Sequence, residues 1–184
     1  MTREEWAFFV SLLVMLVMCS SYFFKKKSVY LSMQGAGILF LMVAYTLERQ
    51  YFAMAGLGIG LVRSAVYLLY ECSDRSTPIG WPIGFTLAGV ACYCVINLWV
   101  FGDVKPYDIL YLIGLAAYAF IFRVRNLCLV RYLVLLPTGI SIVYNVLIGA
   151  APFVWISYTF ELCANIVAII KYRLLAKKNE REKV

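Results

Sequence analysis

The sequence predicts an all-α membrane protein of about seven transmembrane helices, with the amino terminus outside the cell and the carboxyl terminus in the cytosol. Of its 184 residues, 64% are hydrophobic and 15% are charged, and the mean hydropathy is +0.83. Soluble domains are about 45–50% apolar and about 25% charged. The apolar residues form seven runs, most of them close to the roughly 20 residues that a helix needs to cross a bilayer. The loops between these runs differ in their basic residues, which sets the orientation.

The seven apolar runs follow one another with short loops between them. They are Trp6 to Phe24, Val29 to Leu47, Tyr51 to Tyr70, Ile83 to Phe101, Tyr107 to Phe122, Leu127 to Ile148 and Ala150 to Ile170. The fifth run is the shortest, and Gly149 to Pro152 predicts a tight turn between the last two. Because these runs take up nearly the whole chain, we expect residues 1–184 to form a single transmembrane domain.

Basic residues are distributed unequally between the two sets of loops. With the amino terminus outside, one set carries twelve Lys and Arg residues, and the other carries Arg3, Arg49 and Lys105. Loops rich in basic residues stay in the cytosol, so the set of twelve marks the cytosolic side. We expect residues 171–184 to form a basic cytosolic tail against lipid headgroups. Arg131, just inside the sixth helix, is expected to extend its side chain toward the same interface.

An internal match relates the two halves of the chain. Residues 21–29 align with residues 119–127 at a constant offset of 98, and both segments end a helix with aromatic residues followed by basic ones. The match predicts a 3+1+3 parallel repeat, an arrangement that occurs in transporters. Residues 5–70 would form the first three-helix unit, 83–101 a linker helix and 107–170 the second unit. Helix ends of this composition are also general membrane anchors, and that alternative stays open.

Two segments resemble a known family. Residues 26–70, in which Tyr51-Phe52-Ala53 opens a helix that carries Val62-Arg63-Ser64, resemble the second and third helices of the YgjV-type bacterial inner-membrane proteins. The carboxyl half is similar to the last two helices of that family in the order and spacing of Arg131, Tyr144-Asn145, Gly149 and the 165–171 run. Together these segments cover roughly two thirds of the chain.

The resemblance implies a location in the bacterial inner membrane and a seven-helix outline similar to SWEET sugar carriers and PnuC-type vitamin carriers. SWEETs place prolines in both triplets of helices, whereas here only Pro137 lies inside a helix of either triplet. The pair Trp155-x-x-Tyr158 is similar to the aromatic W-x-x-Y signature of PnuC-type carriers. The resemblance therefore implies a fold more strongly than it implies a cargo.

Two ionisable residues lie deep inside predicted helices, Arg63 in the third and Glu161 in the seventh. A charge at the bilayer centre costs about 2.5–3.5 kcal/mol on insertion scales, so such residues usually face a cavity or a partner. We expect the two to face each other across a central cavity, where they either form a permanent ion pair or divide the charges of a substrate. The candidate substrate-binding residues are Arg63, Tyr67, Asn97, Tyr144, Asn145, Trp155, Tyr158, Glu161 and Asn165. Gln34, near the inner end of the second helix, is expected to be interfacial.

Three classes of function remain for such a chain. The first is a carrier of a small polar metabolite bound between the two three-helix units. The second is a receptor or accessory membrane subunit that binds without transport. The third is an intramembrane enzyme, which we do not expect, since the nearest approach to a carboxylate pair is Glu71 and Asp74 in a solvated loop.

The remaining partners follow from composition. The chain has no His, and its six Cys form no C-x-x-C pair, so we expect neither a metal nor another cofactor. The net charge of +7 comes from short clusters between apolar runs, which suits anionic lipids and not nucleic acid. The expected partners are the bilayer and a small polar solute, and a homo-oligomer stays open.

Overall fold

The computed structural model describes residues 3–47, 51–96, 105–150 and 152–181, and these ranges contain seven α-helices and no β-strand. The helices are α1 (Arg3–Ser21), α2 (Lys27–Leu47), α3 (Tyr51–Cys72), α4 (Gly80–Tyr93), α5 (Asp108–Arg123), α6 (Leu127–Leu147) and α7 (Pro152–Arg181). The predicted all-α fold is therefore confirmed. Four stretches are long and apolar enough to cross a membrane, namely Lys27–Leu47, Met54–Cys72, Leu127–Leu147 and Val154–Leu175.

The last helix differs most from its predicted bounds. It was expected to end at Ile170, but α7 continues for 30 residues to Arg181 and includes most of the predicted tail. Residues 171–181 contain no Gly or Pro and are rich in Lys, Arg and Leu, which are good helix formers. The helix therefore continues after the apolar residues end. The predicted linker helix corresponds to α4, and its residues 97–101 lie outside the described ranges.

The helices pack as two groups of three, which we call the first triplet (α1 to α3) and the second triplet (α5 to α7). In the first triplet α2 packs against both α1 and α3, and in the second α6 packs against both α5 and α7. The triplets meet along two main interfaces, where α1 packs on α7 and α3 packs on α5. Helix α4 packs against α5 and α3. The first helix of each triplet thus packs against the last helix of the other triplet.

Two ion pairs hold the basic loops together at one end of the bundle. Lys27 Nζ, at the start of α2, lies 2.9 Å from Glu71 Oε2 at the end of α3. Arg125, between α5 and α6, pairs with Asp74 in the loop after α3. The loops predicted to be cytosolic therefore lie at the same end, which we call the basic end. Glu71 and Asp74, the two acidic residues considered above as a carboxylate pair, thus pair with two different basic side chains.

Arg131 does not extend toward solvent as predicted. Its side chain is buried, and one guanidinium nitrogen donates a hydrogen bond to the Phe24 carbonyl oxygen at 2.7 Å. The guanidinium also lies over the Tyr172 ring, 4.1 Å from the ring centroid. The Phe24 carbonyl lies in the α1–α2 loop, and the Tyr172 ring belongs to α7. Arg131 therefore fixes the α1–α2 loop to α6 and α7.

The two ion pairs at the basic end should differ strongly in their contribution to stability. In Glu71→Gln the Lys27 side chain, 6% exposed, loses its counterion. Breaking a buried pair typically costs about 3–5 kcal/mol. We expect Glu71→Gln to lower the free energy of unfolding by about 2–3 kcal/mol, since the amide still accepts a hydrogen bond. Denaturant titration of the purified protein measures this loss.

The matched control is Asp74→Asn. Arg125 and Asp74 have side chains 58% and 90% exposed, and exposed pairs contribute about 0–1 kcal/mol. Asn also tolerates the positive φ of 51° at this position. Equal losses in the two variants would show that Lys27 reaches water and that its pair with Glu71 is not buried.

Candidate functional site

A cavity of about 70 Å³ lies between the two triplets. All six helices of the triplets contribute side chains or backbone to its wall, and α4 contributes none of the described lining residues. Arg63, Glu161 and Tyr158, three of the predicted binding residues, line it. The apolar part of the wall comes mainly from α2 and α5. The cavity therefore combines one cation, one anion and an apolar and aromatic surface.

Arg63 enters the cavity from α3 and is only 5% exposed. Its Nη1 donates a hydrogen bond to the Leu115 carbonyl oxygen of α5 at 3.3 Å. The guanidinium lies over two rings of α5, with centroids 5.5 Å away for Tyr118 and 5.1 Å for Phe122. Its Nε is buried without a hydrogen-bond partner among the described residues. Aromatic faces thus support the charge, while part of its donor capacity stays unused.

Glu161 enters the same cavity from α7 and is 3% exposed. Its Oε1 accepts a hydrogen bond from the Tyr22 hydroxyl at 2.7 Å and a longer one from Gln34 Nε2 at 3.5 Å. Gln34 Nε2 also lies 3.0 Å from Ser21 Oγ, which in turn donates to the Met18 carbonyl oxygen. The carboxylate is therefore held by donors from the opposite triplet, one directly after α1 and one in α2.

The two charged residues line one cavity, as expected, but they do not pair with each other. Neither of them takes part in an ion pair within 4.0 Å among the described residues. Of the two arrangements that the sequence left open, a permanent Arg63–Glu161 ion pair is not formed. Each charge is stabilised separately, by rings and a carbonyl for Arg63 and by neutral donors for Glu161.

Contacts between the triplets lie beyond the cavity at both ends. At the basic end the Tyr30 ring of α2 packs against Phe122 of α5, with centroids 5.9 Å apart. At the opposite end the Tyr45 hydroxyl of α2 donates to Asn145 Oδ1 of α6. Helix α2 therefore contacts the second triplet above and below the cavity.

Two predicted binding residues hold helices together beside the cavity without lining it. The Tyr67 hydroxyl of α3 donates to the Ala119 carbonyl oxygen of α5 at 2.6 Å. Asn165 Nδ2 of α7 donates to the Arg131 carbonyl oxygen of α6 at 2.8 Å, and its Oδ1 is buried without a described partner. Both side chains are 1% exposed. Their positions indicate structural hydrogen bonds between helices.

The other predicted residues also lie away from the cavity wall. Tyr144 is buried against the ring of Tyr111, with centroids 5.0 Å apart, and Asn145 bonds to Tyr45 at the end opposite the basic loops. Trp155 is half-buried on α7 and is not among the lining residues. Asn97 lies outside the described residues, so its placement is not part of the site.

Sequence reasoning missed several residues of the cavity wall. Gln34, expected to be interfacial, is 4% exposed and bonds to Glu161 because α2 turns that face inward. Tyr111, Tyr118 and Phe122 line the cavity from α5, and Ser141 lines it from α6. The α5 residues are spaced by seven and four, which is the spacing of one helix face. That aromatic stripe was the sequence signal that could have identified these lining residues. It was missed because it carries no charge and lies in the shortest predicted helix.

No known protein family, curated protein or solved structure matches this chain. The resemblance to YgjV-type proteins stays a prediction, and the chemistry of the cavity is the basis for inferring function.

The hydroxyl of Tyr22 should contribute far more to stability than the neighbouring hydroxyl of Tyr30. Both side chains are fully buried with ring centroids 5.4 Å apart, but only Tyr22 bonds to Glu161, whereas the Tyr30 hydroxyl has no described partner. A hydrogen bond to a charged group contributes about 1.5–3 kcal/mol. We expect Tyr22→Phe to lower the free energy of unfolding by about that amount. Tyr30→Phe should leave it unchanged or raise it, and a similar loss in both variants would contradict the assignment.

Proposed function

We propose that this chain is a multi-pass membrane carrier that binds a small polar metabolite in the cavity between its two triplets. The observation that carries the proposal is one cavity, lined by all six helices of the triplets, that contains two opposite and unpaired buried charges. A purely structural core would favour neutral packing, because buried charges without a counterion are costly. Polar groups convergent in an otherwise apolar cavity are typical of a ligand site.

The reciprocal packing of the triplets supports a parallel repeat. The first helix of each triplet packs on the last helix of the other, as a two-fold relation between equivalent units requires. Helices α2 and α6 are both 21 residues long and begin 100 residues apart, two more than the offset of the sequence match. Tyr45 and Asn145, also 100 residues apart, bond to each other, as residues beside a two-fold axis would. In carriers built from repeats, the substrate binds between the units.

In the proposed topology the bundle crosses the membrane seven times with its basic end in the cytosol. The ion pairs of Lys27 and Arg125 lie at that end, in agreement with the excess of basic residues on one set of loops. Helices α1 and α5, of 19 and 16 residues, rise about 28 and 24 Å, slightly less than the roughly 30 Å hydrocarbon core, so they would cross it with little tilt. A bacterial inner membrane is the location that the family resemblance implies.

The hydrogen bonds of the two charged residues suggest how binding and movement are coupled. Arg63 joins α3 to α5 through the Leu115 carbonyl, and Glu161 joins α7 to the end of α1 through Tyr22, the residue after that helix. These are the two main helix–helix interfaces between the triplets. A ligand that binds Arg63 or Glu161 competes with the hydrogen bond that this residue makes across its interface. Binding would thus loosen the contact between triplets and allow one to rock against the other.

Protein-dependent release of metabolites from liposomes tests the proposal without knowledge of the cargo. Proteoliposomes are loaded with an extract of bacterial small metabolites, and mass spectrometry follows which compounds appear outside. We expect at least one polar metabolite to leave faster than from protein-free liposomes. No accelerated release of any compound would contradict a carrier, and saturable binding without release would instead indicate a receptor.

Two substitutions of Ser141 provide the matched control. Ser141 lines the cavity from α6, and its hydroxyl bonds only to the Pro137 carbonyl within the same helix. Ser141→Phe should fill the cavity and reduce release to the protein-free rate, while Ser141→Ala should keep the rate of the unmodified protein. Size-exclusion profiles check that both variants fold. Release that continues in Ser141→Phe would place the path outside this cavity.

A further inference from the structure

The two charges of the cavity have donor and acceptor capacity that no described residue uses. Among the described residues, the Arg63 side chain makes one hydrogen bond, through Nη1, and its buried Nε has no partner. A Cβ atom placed on Gly60 would lie 3.6 Å from Nη2, so the absent side chain leaves room at that edge. The Nε–Nη2 edge of a guanidinium is a planar fork that matches the two oxygens of a carboxylate. Arg63 therefore offers a carboxylate subsite.

Glu161 offers the complementary subsite. Its Oε1 accepts both hydrogen bonds from Tyr22 and Gln34, whereas Oε2 accepts none from the described residues. The aromatic residues Tyr118 and Tyr158 line the same cavity. A carboxylate oxygen near aromatic faces favours a cation, since both attract positive charge. A primary amine in its protonated form fits this chemistry.

The total charge of the cavity selects between possible ligands. Arg63 and Glu161 sum to zero, so a ligand with one charge would leave a net charge in a low-dielectric interior. A zwitterion satisfies both residues and keeps the occupied cavity neutral. A sugar would leave both charges without a counterion. Charge balance therefore favours a ligand that carries both signs.

The volume of the cavity limits the size of that ligand. Its roughly 70 Å³ is about half the volume, about 150 Å³, of an engineered apolar cavity that binds benzene. A ligand of a few non-hydrogen atoms fits this space, and side-chain movement extends the limit modestly. Short aliphatic amino acids have this size.

We propose that the ligand is a short aliphatic amino acid whose carboxylate binds Arg63 and whose ammonium binds Glu161. The proposal rests on the proposed carrier function, and names the substrate class of the same cavity. Because Arg63 and Glu161 are not in contact with each other, the ligand bridges them and takes the place of the missing ion pair.

Binding of matched ligand series to the purified protein tests the proposal. The amino acids glycine, β-alanine and γ-aminobutyrate are each compared by calorimetry with the carboxylate and the amine of the same length: acetate and methylamine, propionate and ethylamine, butyrate and propylamine. We expect at least one amino acid to bind about tenfold or more tightly than both of its single-charge analogues. If either analogue binds as tightly as the amino acid, the proposal is overturned, since one of the two ligand charges would then contribute nothing to binding.

Variants at the two charges should change specificity in opposite directions. Glu161→Gln should weaken amino-acid binding about tenfold or more and make the matched carboxylate the better ligand, while Arg63→Gln should favour the amine. Arg63→Lys should keep the preference for ligands with a carboxylate at lower affinity, because Lys retains the charge but not the fork. Val62→Leu, at an exposed position beside Arg63, is the control and should not change binding.

The remaining outcomes separate this proposal from the carrier function. If no ligand of the series binds while proteoliposomes still release metabolites, the amino-acid proposal is wrong and the carrier stands. Absence of both binding and release would count against both. If Glu161→Gln and Arg63→Gln fold normally but lose all ligands equally, the two charges have a structural role and the proposal fails.

Discussion

The structure depends on the cost of placing two opposite charges in an apolar interior without letting them touch. Arg63 and Glu161 are each at least 95% buried, and each needs partners of its own. Arg63 obtains them from the rings and a carbonyl of α5, and Glu161 from a hydroxyl directly after α1 and an amide of α2. Because every one of these partners belongs to the opposite triplet, satisfying the charges also determines how the triplets meet.

The same requirement explains why polar contacts are concentrated between helices. Inside a bilayer the lipid tails are as apolar as the side chains, so association relies on close packing and on hydrogen bonds across helices. Tyr67 to Ala119, Ser157 to Ser11 and Tyr45 to Asn145 supply such bonds at separate levels of the interfaces. Apolar side chains pack beside these bonds in two clusters, and both triplets contribute to each cluster.

Sequence patterns predicted the helices much better than the lining of the site. Apolar runs and loops with basic residues gave the order of the elements, because helix length and burial depend on local composition. They also identified Arg63 and Glu161, since charges are conspicuous among apolar residues, and Tyr158, which shares a helix face with Glu161. Gln34 and Tyr111 were missed, because the direction of a helix face depends on its neighbours. Tyr67 and Asn165 were assigned to the site for their polarity, but they bond to backbone carbonyls.

Helix α7 has a mechanical consequence that follows from its length alone. Its 30 residues rise about 45 Å, which exceeds the roughly 30 Å thickness of a hydrocarbon core. Glu161 lies 20 residues before its end at Arg181, a lever arm of about 30 Å. A tilt of only about 10° around the level of Glu161 would displace that end by about 5 Å. A small rearrangement at the carboxylate would thus be magnified at the membrane surface, where a label or a second protein could detect it.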